Sequence, residues 1–173
     1  MTYTFRKAVP GDINTLVRLR GDFMACFGPL CEQDHEALRN YKEYLLESMT
    51  AADPRRLPQE TLATPSTEGN ASFVQWLAEC GGEIAATGSI SFYRLPPTGR
   101  RPNGRAAYIG NMFTYPAYRN RGLAGEILRR LAEEAQSAGC GIVTLHTSEQ
   151  GRPIYEAFGF AAAMDVMEYS QPI

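Results

Sequence analysis

The sequence predicts a mixed α/β domain in which helices flank a mostly antiparallel central sheet that contains one parallel strand pair. The first observation behind this is a hairpin signal, since two strand-like runs, Phe73–Cys80 and Ile84–Tyr93, flank a Gly-Gly turn. The second is a strand, helix, strand unit from Ala106 to His146, which requires a right-handed crossover between parallel strands. The third is length, because 173 residues fit one domain, and we expect a single domain over residues 1–173.

The first third of the chain predicts one strand and two helices. Alternating apolar residues from Tyr3 to Val9 predict a strand that stops at Pro10-Gly11, and Asp12 follows at a helix-capping position. Apolar residues then recur at helical spacing through Phe23, and a second helix is predicted over 34–49. Residues 50–70 are rich in Pro, Gly, Ser and Thr, which predicts a loop or a broken helix.

The remaining elements follow the central hairpin. A Pro-, Gly- and Arg-rich loop over 98–104 leads to a strand over 106–115, and an amphipathic helix is predicted over 122–138. A short strand over 142–146, a short helix over 151–158 and a last strand over 163–169 complete the order βααβββαβαβ.

Composition narrows the class of protein and of ligand. The net charge is −2, which argues against a general nucleic-acid binder, yet residues 94–130 hold eight arginines and one acid. That local excess could serve an anionic ligand or could be a solvated face. The four cysteines and two histidines match no zinc-ligand spacing, so we expect no metal. We also expect no membrane segment and a cytoplasmic location, because no apolar run approaches about 18 residues and the N-terminus lacks a signal-peptide core.

One loop combines glycines, arginines and a helix start. Residues 118–125 read Tyr-Arg-Asn-Arg-Gly-Leu-Ala-Gly, and the first amides of the following helix lack intrahelical acceptors, which favours an anion. The loop is neither a P-loop nor a dinucleotide fingerprint. It resembles the Gln/Arg-x-x-Gly-x-Gly/Ala signature of the GNAT N-acetyltransferase superfamily, which cradles the pyrophosphate of acetyl-CoA. The cofactor-binding residues implied are Arg119, Asn120, Arg121, Gly122, Leu123, Ala124 and Gly125.

The resemblance covers about residues 73–160. Residues 108–116 are similar to the family's central strand, which is splayed from its neighbour by a bulge, and by position the backbones of Met112, Phe113 and Thr114 would pair with pantetheine. Residues 145–148 and 153–160 resemble the family's last block, which implies that Ser148 and Tyr155 contact the cofactor. The resemblance therefore implies a GNAT-like acyl-CoA acyltransferase fold with acetyl-CoA as acyl donor.

The chemistry implied is acetyl transfer to a primary amine of a small molecule or peptide. The Met112 amide would polarise the thioester carbonyl, and Tyr155, with an ordinary pKa near 10, would protonate the departing thiolate or would serve only in packing. No glutamate stands at Gly110 or Asn111. Glu83 or His146 acting through water, or direct attack by the neutral amine, stay open, and His146 on its apolar strand could instead be a core residue.

The acceptor site in this superfamily is usually shaped by the first two helices and their connection, here residues 23–34. Glu32 and Asp34 would hold a cationic amine there or would cap the second helix. Trp76 is expected in the core rather than as a substrate platform. Arginines 100, 101 and 105 would reach CoA phosphates or be solvated. A non-catalytic acyl-CoA sensor on the same fold is the alternative function, and a homodimer is possible.

Overall fold

The computed structural model describes residues 2–50, 73–99 and 101–163. In this part of the chain five strands and four α-helices follow in order. They are β1 (Thr4–Lys7), α1 (Ile13–Ala25), α2 (Glu32–Thr50), β2 (Phe73–Cys80), β3 (Glu83–Arg94), β4 (Arg105–Thr114), α3 (Leu123–Ser137), β5 (Ile142–Leu145) and α4 (Arg152–Phe158). The predicted elements that fall in this part are all present. The predicted loop over 51–70 and the last strand from residue 164 onward lie outside the described residues.

The strands form one sheet in the order β1-β2-β3-β4-β5. The first four strands are antiparallel to their neighbours, and β5 is parallel to β4, with pairs from Ala106↔Ile142 to Ile109↔Leu145. The parallel pair follows from α3, which carries the chain back across the sheet between β4 and β5. The predicted fold class, mostly antiparallel with one parallel pair, is confirmed.

The two faces of the sheet carry separate cores. On one face α3 packs its apolar stripe against β3 and β4, with Ile127, Leu131, Ile90 and Ile109 each at most 1% exposed. On the other face α1 and α2 cover Phe73 and Leu77 of β2 with a smaller cluster. Alternate residues of a strand point to opposite faces, so Ile109 of β4 packs in the α3 cluster while the Phe113 ring contacts Phe23 of α1.

Asp12 lies at the predicted helix-cap position, but its carboxylate binds groups that precede the helix. It accepts from the Val9 amide at 2.8 Å, which closes a short 3-10 turn over Pro10–Asp12 before α1. It also forms an ion pair with Arg6, and that guanidinium lowers the pKa of Asp12. Asp12 therefore ties the start of α1 to β1 rather than capping the helix amides.

Trp76 packs against the core on the α3 face, as expected, but remains partly exposed. The guanidinium of Arg130 lies 4.8 Å from the ring centroids of both Trp76 and Phe5. The Trp76 indole therefore stacks against a cation on the side that faces α3.

Candidate active site

β4 contains a bulge at the point where the sheet opens. Ser89 of β3 pairs with Gly110, but Thr87 pairs with Phe113, so that Gly88 faces two residues, Asn111 and Met112. Asn111 has a φ of 52°, in the left-handed region. Asparagine tolerates this conformation better than most residues, and the extra residue turns the strand away from its former line.

Beyond the bulge β4 loses its second neighbour. The parallel ladder ends at Ile109↔Leu145. Among the described residues, the segment 110–114 pairs with β3 alone. The predicted backbone contacts, Met112, Phe113 and Thr114, all lie in this open stretch. One group there has an internal partner already, because the Thr114 carbonyl accepts from Arg119 Nε at 3.2 Å. The structure thus contains a fork between β4 and β5 with unpaired backbone along one side.

The arginine-glycine loop ends at α3 in a concave backbone. Asn120 and Gly122 both have positive φ, 58° and 76°, and α3 begins at Leu123 without a side-chain cap. In the described chain the amides of residues 122–125 donate to no backbone carbonyl. A run of free amides at a helix N-terminus attracts anions through hydrogen bonds and the helix dipole. All seven loop residues predicted to bind the cofactor lie at this terminus.

The two loop arginines hold the loop to its surroundings. Arg121 donates to the Tyr3 hydroxyl at 2.9 Å and to the Ala117 carbonyl at 3.0 Å, and its guanidinium lies 5.7 Å from the Tyr118 ring centroid. With the Arg119 bond to Thr114, both side chains fix the path from β4 to α3. Both remain exposed, so their charge is added to the anion-attracting terminus.

Tyr155 lies in α4 and is 8% exposed. Its ring packs edge-on against Phe160, with centroids 6.1 Å apart, and its hydroxyl makes no hydrogen bond within the described residues. Burial raises the pKa of Tyr155 above its ordinary value. Ser148, four residues before α4, accepts from the Gly151 amide at 3.2 Å, so its hydroxyl holds the turn that leads into the helix.

The two residues considered as bases lie in very different places. Glu83 starts β3, five residues from Gly88 at the bulge, which corresponds to about 17 Å along a strand, and it accepts from the Tyr118 hydroxyl. His146 follows the last paired residue of β5, is exposed, and lies 3.5 Å from the Tyr108 hydroxyl. His146 is therefore at the fork and not in the core, because β5 ends one residue earlier than predicted.

Comparison with known proteins agrees with this geometry. The model of the acetyltransferase (GNAT) family matches residues 38–160, more than two thirds of the chain. The chain belongs to the GNAT acetyltransferase family. Its fork, bulge and uncapped helix all lie within the matched range, as does Tyr155.

Individual relatives add detail. The chain is 32% identical over 81 residues to the glucosamine 6-phosphate N-acetyltransferase of Trypanosoma brucei brucei, a match covering 47% of this chain and only about half, 53%, of that protein. A protein from Clostridium acetobutylicum, described as a predicted acetyltransferase and solved with acetyl-CoA, is 29% identical with a TM-score of 0.76, and the match covers 98% of this chain and 96% of that one. A GCN5-related N-acetyltransferase from Ralstonia eutropha shares the fold at 22% identity, a TM-score of 0.77 and 99% coverage of both chains.

This GNAT chain has a polar network directly behind its bulge. Arg20 Nη1 donates to Asn111 Oδ1 at 2.8 Å, and Asn111 Nδ2 donates to the Tyr41 hydroxyl at 3.0 Å. The hydroxyl in turn donates to Gln75 Oε1 at 3.1 Å, and Gln75 Nε2 to Thr87 Oγ1 at 2.8 Å. Burial holds the pKa of Tyr41 well above its ordinary value, so Tyr41 stays a donor. The network joins α1, α2, β2 and β3 to Asn111 in its strained conformation.

Sequence reasoning did not identify Arg20 or Tyr41 as site residues. The Tyr41 ring packs in the smaller core, while its hydroxyl belongs to the network. Arg20 had a visible signal, because it lies among Leu16, Leu19 and Phe23 on the apolar stripe of α1. A cation on an apolar stripe is unusual and indicates a functional role.

The connection between the first two helices behaves as the capping interpretation predicts. Asp34 accepts from the Cys31 amide at 2.9 Å at the start of α2, and this hydrogen bond lowers the pKa of Asp34. Phe27 is 72% exposed, and its ring stacks edge-on against Phe23 with centroids 5.2 Å apart. The Phe23 ring also contacts Phe113 of β4, so this aromatic group reaches the open half of the strand.

A larger groove of about 800 Å³ lies beside α1 and the β2–β3 turn. Its carboxylates already have partners, since Tyr115 donates to Asp22, Tyr118 to Glu83, and Arg6 binds both Asp12 and Glu79. The unpaired backbone lies instead at the fork. We therefore take the fork as the active-site candidate of this GNAT protein.

Two features of the described residues bear on other ligands and on membranes. No group of three or more His, Cys, Asp or Glu side chains there could hold a metal ion. None of the described helices is long and apolar enough to cross a bilayer.

Proposed function

We propose that this protein is an acetyl-CoA-dependent N-acetyltransferase that acetylates a primary amine. The observation that carries the proposal is the fork between β4 and β5, which leads from unpaired backbone at 110–114 to the uncapped N-terminus of α3. Membership in the GNAT family supports it, as does the Clostridium acetobutylicum relative with acetyl-CoA. Acetyl-CoA has the matching chemistry: a thioester, an amide-bearing arm and a pyrophosphate.

The geometry supports the following binding roles. The free amides of residues 122–125, with Arg119 and Arg121 beside them, would bind the pyrophosphate. The backbone groups of Met112, Phe113 and Thr114 would pair with the pantetheine arm as an added strand does. Ser148 would contact the same arm from the β5–α4 turn.

The reaction needs one bond formed and one broken at the carbonyl carbon. The neutral amine attacks that carbon, the C–N bond forms, the C–S bond breaks, and CoA leaves as the thiol. The Met112 amide would stabilise the oxyanion, and Tyr155 would give the sulfur its proton. His146 at the fork is the better-placed acceptor, through water, for the proton that the amine loses; Glu83 lies at the far end of β3.

A matched pair of glycine substitutions tests cofactor binding. Gly122 and Gly81 both have positive φ and open space around them, but only Gly122 lies at the N-terminus of α3. Glutamate at either position adds strain of similar size, whereas only Gly122→Glu places a carboxylate among the proposed pyrophosphate donors. We expect Gly122→Glu to weaken acetyl-CoA binding by tenfold or more in calorimetry, about 1.4 kcal/mol, and Gly81→Glu to leave it unchanged. Equal affinities in both variants would overturn the pyrophosphate assignment.

Turnover separates this enzyme from a non-catalytic acyl-CoA sensor. Purified protein would be incubated with acetyl-CoA and a panel of primary amines, including glucosamine 6-phosphate because of the Trypanosoma relative. Thiol release above the amine-free background is the expected result. Tight acetyl-CoA binding with no release for any amine would favour the sensor.

We further propose a cytoplasmic location and a single domain. Support for the location comes from the cysteines, since Cys26, Cys31, Cys80 and Cys140 are all free thiols, which is typical of a reducing compartment. A homodimer and the absence of nucleic-acid partners stay predictions that sedimentation and electrophoretic binding assays would test.

A further inference from the structure

Arg20 is a half-buried cation without a carboxylate partner. Of the other described arginines four are half-buried: Arg6 and Arg130 form ion pairs, with Asp12 and Glu126 among their partners, whereas Arg101 and Arg105 form none in the described chain, and Arg105 donates to the Ala138 carbonyl at 2.7 Å. Arg20 forms none in the described chain, and its one hydrogen bond goes to a neutral amide, that of Asn111. Its Nε and Nη2 atoms donate to nothing among the described residues. Keeping a guanidinium partly buried without an anion costs free energy that a ligand anion would offset.

The position of Arg20 connects it to the reacting centre. It lines a cavity of about 10 Å³ together with Phe23, Tyr41, Asn111 and Phe113. That volume holds about one oxygen-sized group. Asn111, which Arg20 contacts, immediately precedes Met112, whose amide faces the thioester in the proposed function. A ligand oxygen in this cavity would therefore lie about one side-chain length from the acetyl group.

From these observations we propose that the acceptor is an amine that carries an anionic group, a carboxylate or a phosphate, and that Arg20 binds that group. The inference rests on the proposed function and specifies its substrate class. The planar guanidinium presents further N–H donors whose spacing fits a carboxylate or a phosphate, and one anionic oxygen would fill the cavity. Because the site is one side chain from the acetyl group, amine and anion are separated by a few bonds only.

Two pairs of amines test the proposal. β-Alanine is compared with β-alaninamide, and glucosamine 6-phosphate with glucosamine, so that each pair differs mainly in the anionic group and the two pairs distinguish carboxylate from phosphate. For wild-type protein we expect kcat/KM to favour the anionic member in at least one pair. Arg20→Gln should lower that preference by about 10- to 100-fold, the range expected for a charge-assisted hydrogen bond. Arg20→Lys should retain part of it.

Two control variants separate binding of the anion from support of the bulge. Arg18→Gln removes a charge from the same helix at an exposed position, and it should leave the preference unchanged. Asn111→Ala removes the partner of Arg20 but keeps the guanidinium, so kcat should fall for both members of a pair while their ratio is retained. An unchanged ratio in Arg20→Gln, or equal kcat/KM for both members of both pairs in the wild type, would overturn the proposal.

A binding readout keeps this test independent of turnover. With CoA present, the anionic amines should raise the melting temperature of the wild type and not that of Arg20→Gln. If no amine is acetylated but this difference is found, the proposed function fails and the anionic subsite stands. If amines are acetylated but no difference in preference or melting temperature is found, the subsite fails and the proposed function stands.

Discussion

The two halves of β4 pair with the same neighbour, β3, but in the part of the chain that the structure describes only the first half has a partner strand on both sides. Residues 105–109 lie between β3 and β5, and Ala106, Ala107 and Ile109 are at most 1% exposed. Residues 110–114 pair with β3 alone among the described residues, begin with a bulge, and include Asn111 in the left-handed region. We call these the closed half and the open half. The closed half stabilises the sheet, and the open half leaves backbone donors and acceptors for a ligand.

The difference between the halves has a geometric origin. The bulge places Asn111 and Met112 opposite Gly88, which turns β4 away from β5 after Ile109. The network behind the bulge stabilises it, because Arg20 and Tyr41 hold the Asn111 side chain by hydrogen bonds. A single extra residue thus converts a strand that is paired on both sides into an open edge.

The largest effect should come from the Tyr155 hydroxyl, the proposed proton donor. Tyr155→Phe keeps the ring packed against Phe160 but removes the proposed proton donor to the thiolate. Turnover should fall by about 100-fold or more, as for loss of a general acid, while acetyl-CoA affinity changes little. Steady-state thiol release and calorimetry would measure the two quantities. Unchanged turnover would remove Tyr155 from the reaction.

The pH profile gives the same assignment a second test. Burial raises the pKa of Tyr155, so the protonated form is favoured in the folded protein and the donor is lost only above about pH 10. We expect wild-type turnover to decline on the alkaline side in that range. The residual turnover of Tyr155→Phe should lack this decline. Identical alkaline profiles in both proteins would contradict the assignment.

The closed half should respond in stability rather than in catalysis. Ile109→Ala removes a side chain that is 1% exposed between β3, β5 and α3, and should cost about 2–5 kcal/mol of unfolding free energy. Urea denaturation measures this. Met112→Ala in the open half, where the side chain is half-buried, is the comparison and should cost clearly less. Equal losses would show that the two halves do not differ in packing.

A methyl group opposite the bulge should destabilise the junction between the halves. A Cβ at Gly88 would overlap Met112 Sδ and lie 2.7 Å from Ile127 Cγ2. Gly88→Ala should therefore lower the unfolding free energy by about 1–3 kcal/mol, as overpacking does, and should weaken acetyl-CoA binding by displacing Met112. Gly11→Ala, at an exposed position with open space, is the control. Wild-type stability and affinity in Gly88→Ala would mean that β4 is not held tightly there.

The smallest effect is expected from the network behind the bulge. Tyr41→Phe removes the hydroxyl that joins Asn111 to Gln75 and should cost about 1 kcal/mol of stability. Because Asn111 then loses one of two fixed partners, kcat should fall while the acetyl-CoA Kd is retained. Tyr44 lies on the same helix as Tyr41, and Tyr44→Phe, which removes a single hydroxyl contact to Ser91 of β3, serves as the matched control. The same kcat in both variants would exclude a positioning role for Tyr41.

Local patterns in the sequence were sufficient for the closed half but not for the open half. Alternation and stop signals predicted β4 to within one residue at each end, because the residues that define this strand and its end are close together in the sequence. The free amides at α3 were also predictable, since Gly122 and the helix start are adjacent. The resemblance supplied the expectation of a bulge and of backbone contacts at Met112, Phe113 and Thr114.

The residues behind the bulge depend on pairing across long sequence distances. Arg20 and Asn111 are 91 residues apart, and nothing near either one indicates the other. The left-handed conformation of Asn111 is set by its register against Gly88, which only the folded sheet fixes. The end of β5 at Leu145 likewise decides that His146 lies at the fork rather than in the core.

Hydrogen exchange with and without acetyl-CoA tests most directly whether the open half is the cofactor site. Our account predicts slower amide exchange on binding within residues 110–114 and 120–125, with no change in the closed half at 105–109, which β3 and β5 already protect. Binding by calorimetry without protection of 110–114 and 120–125, or with protection confined to the groove beside α1, would contradict it.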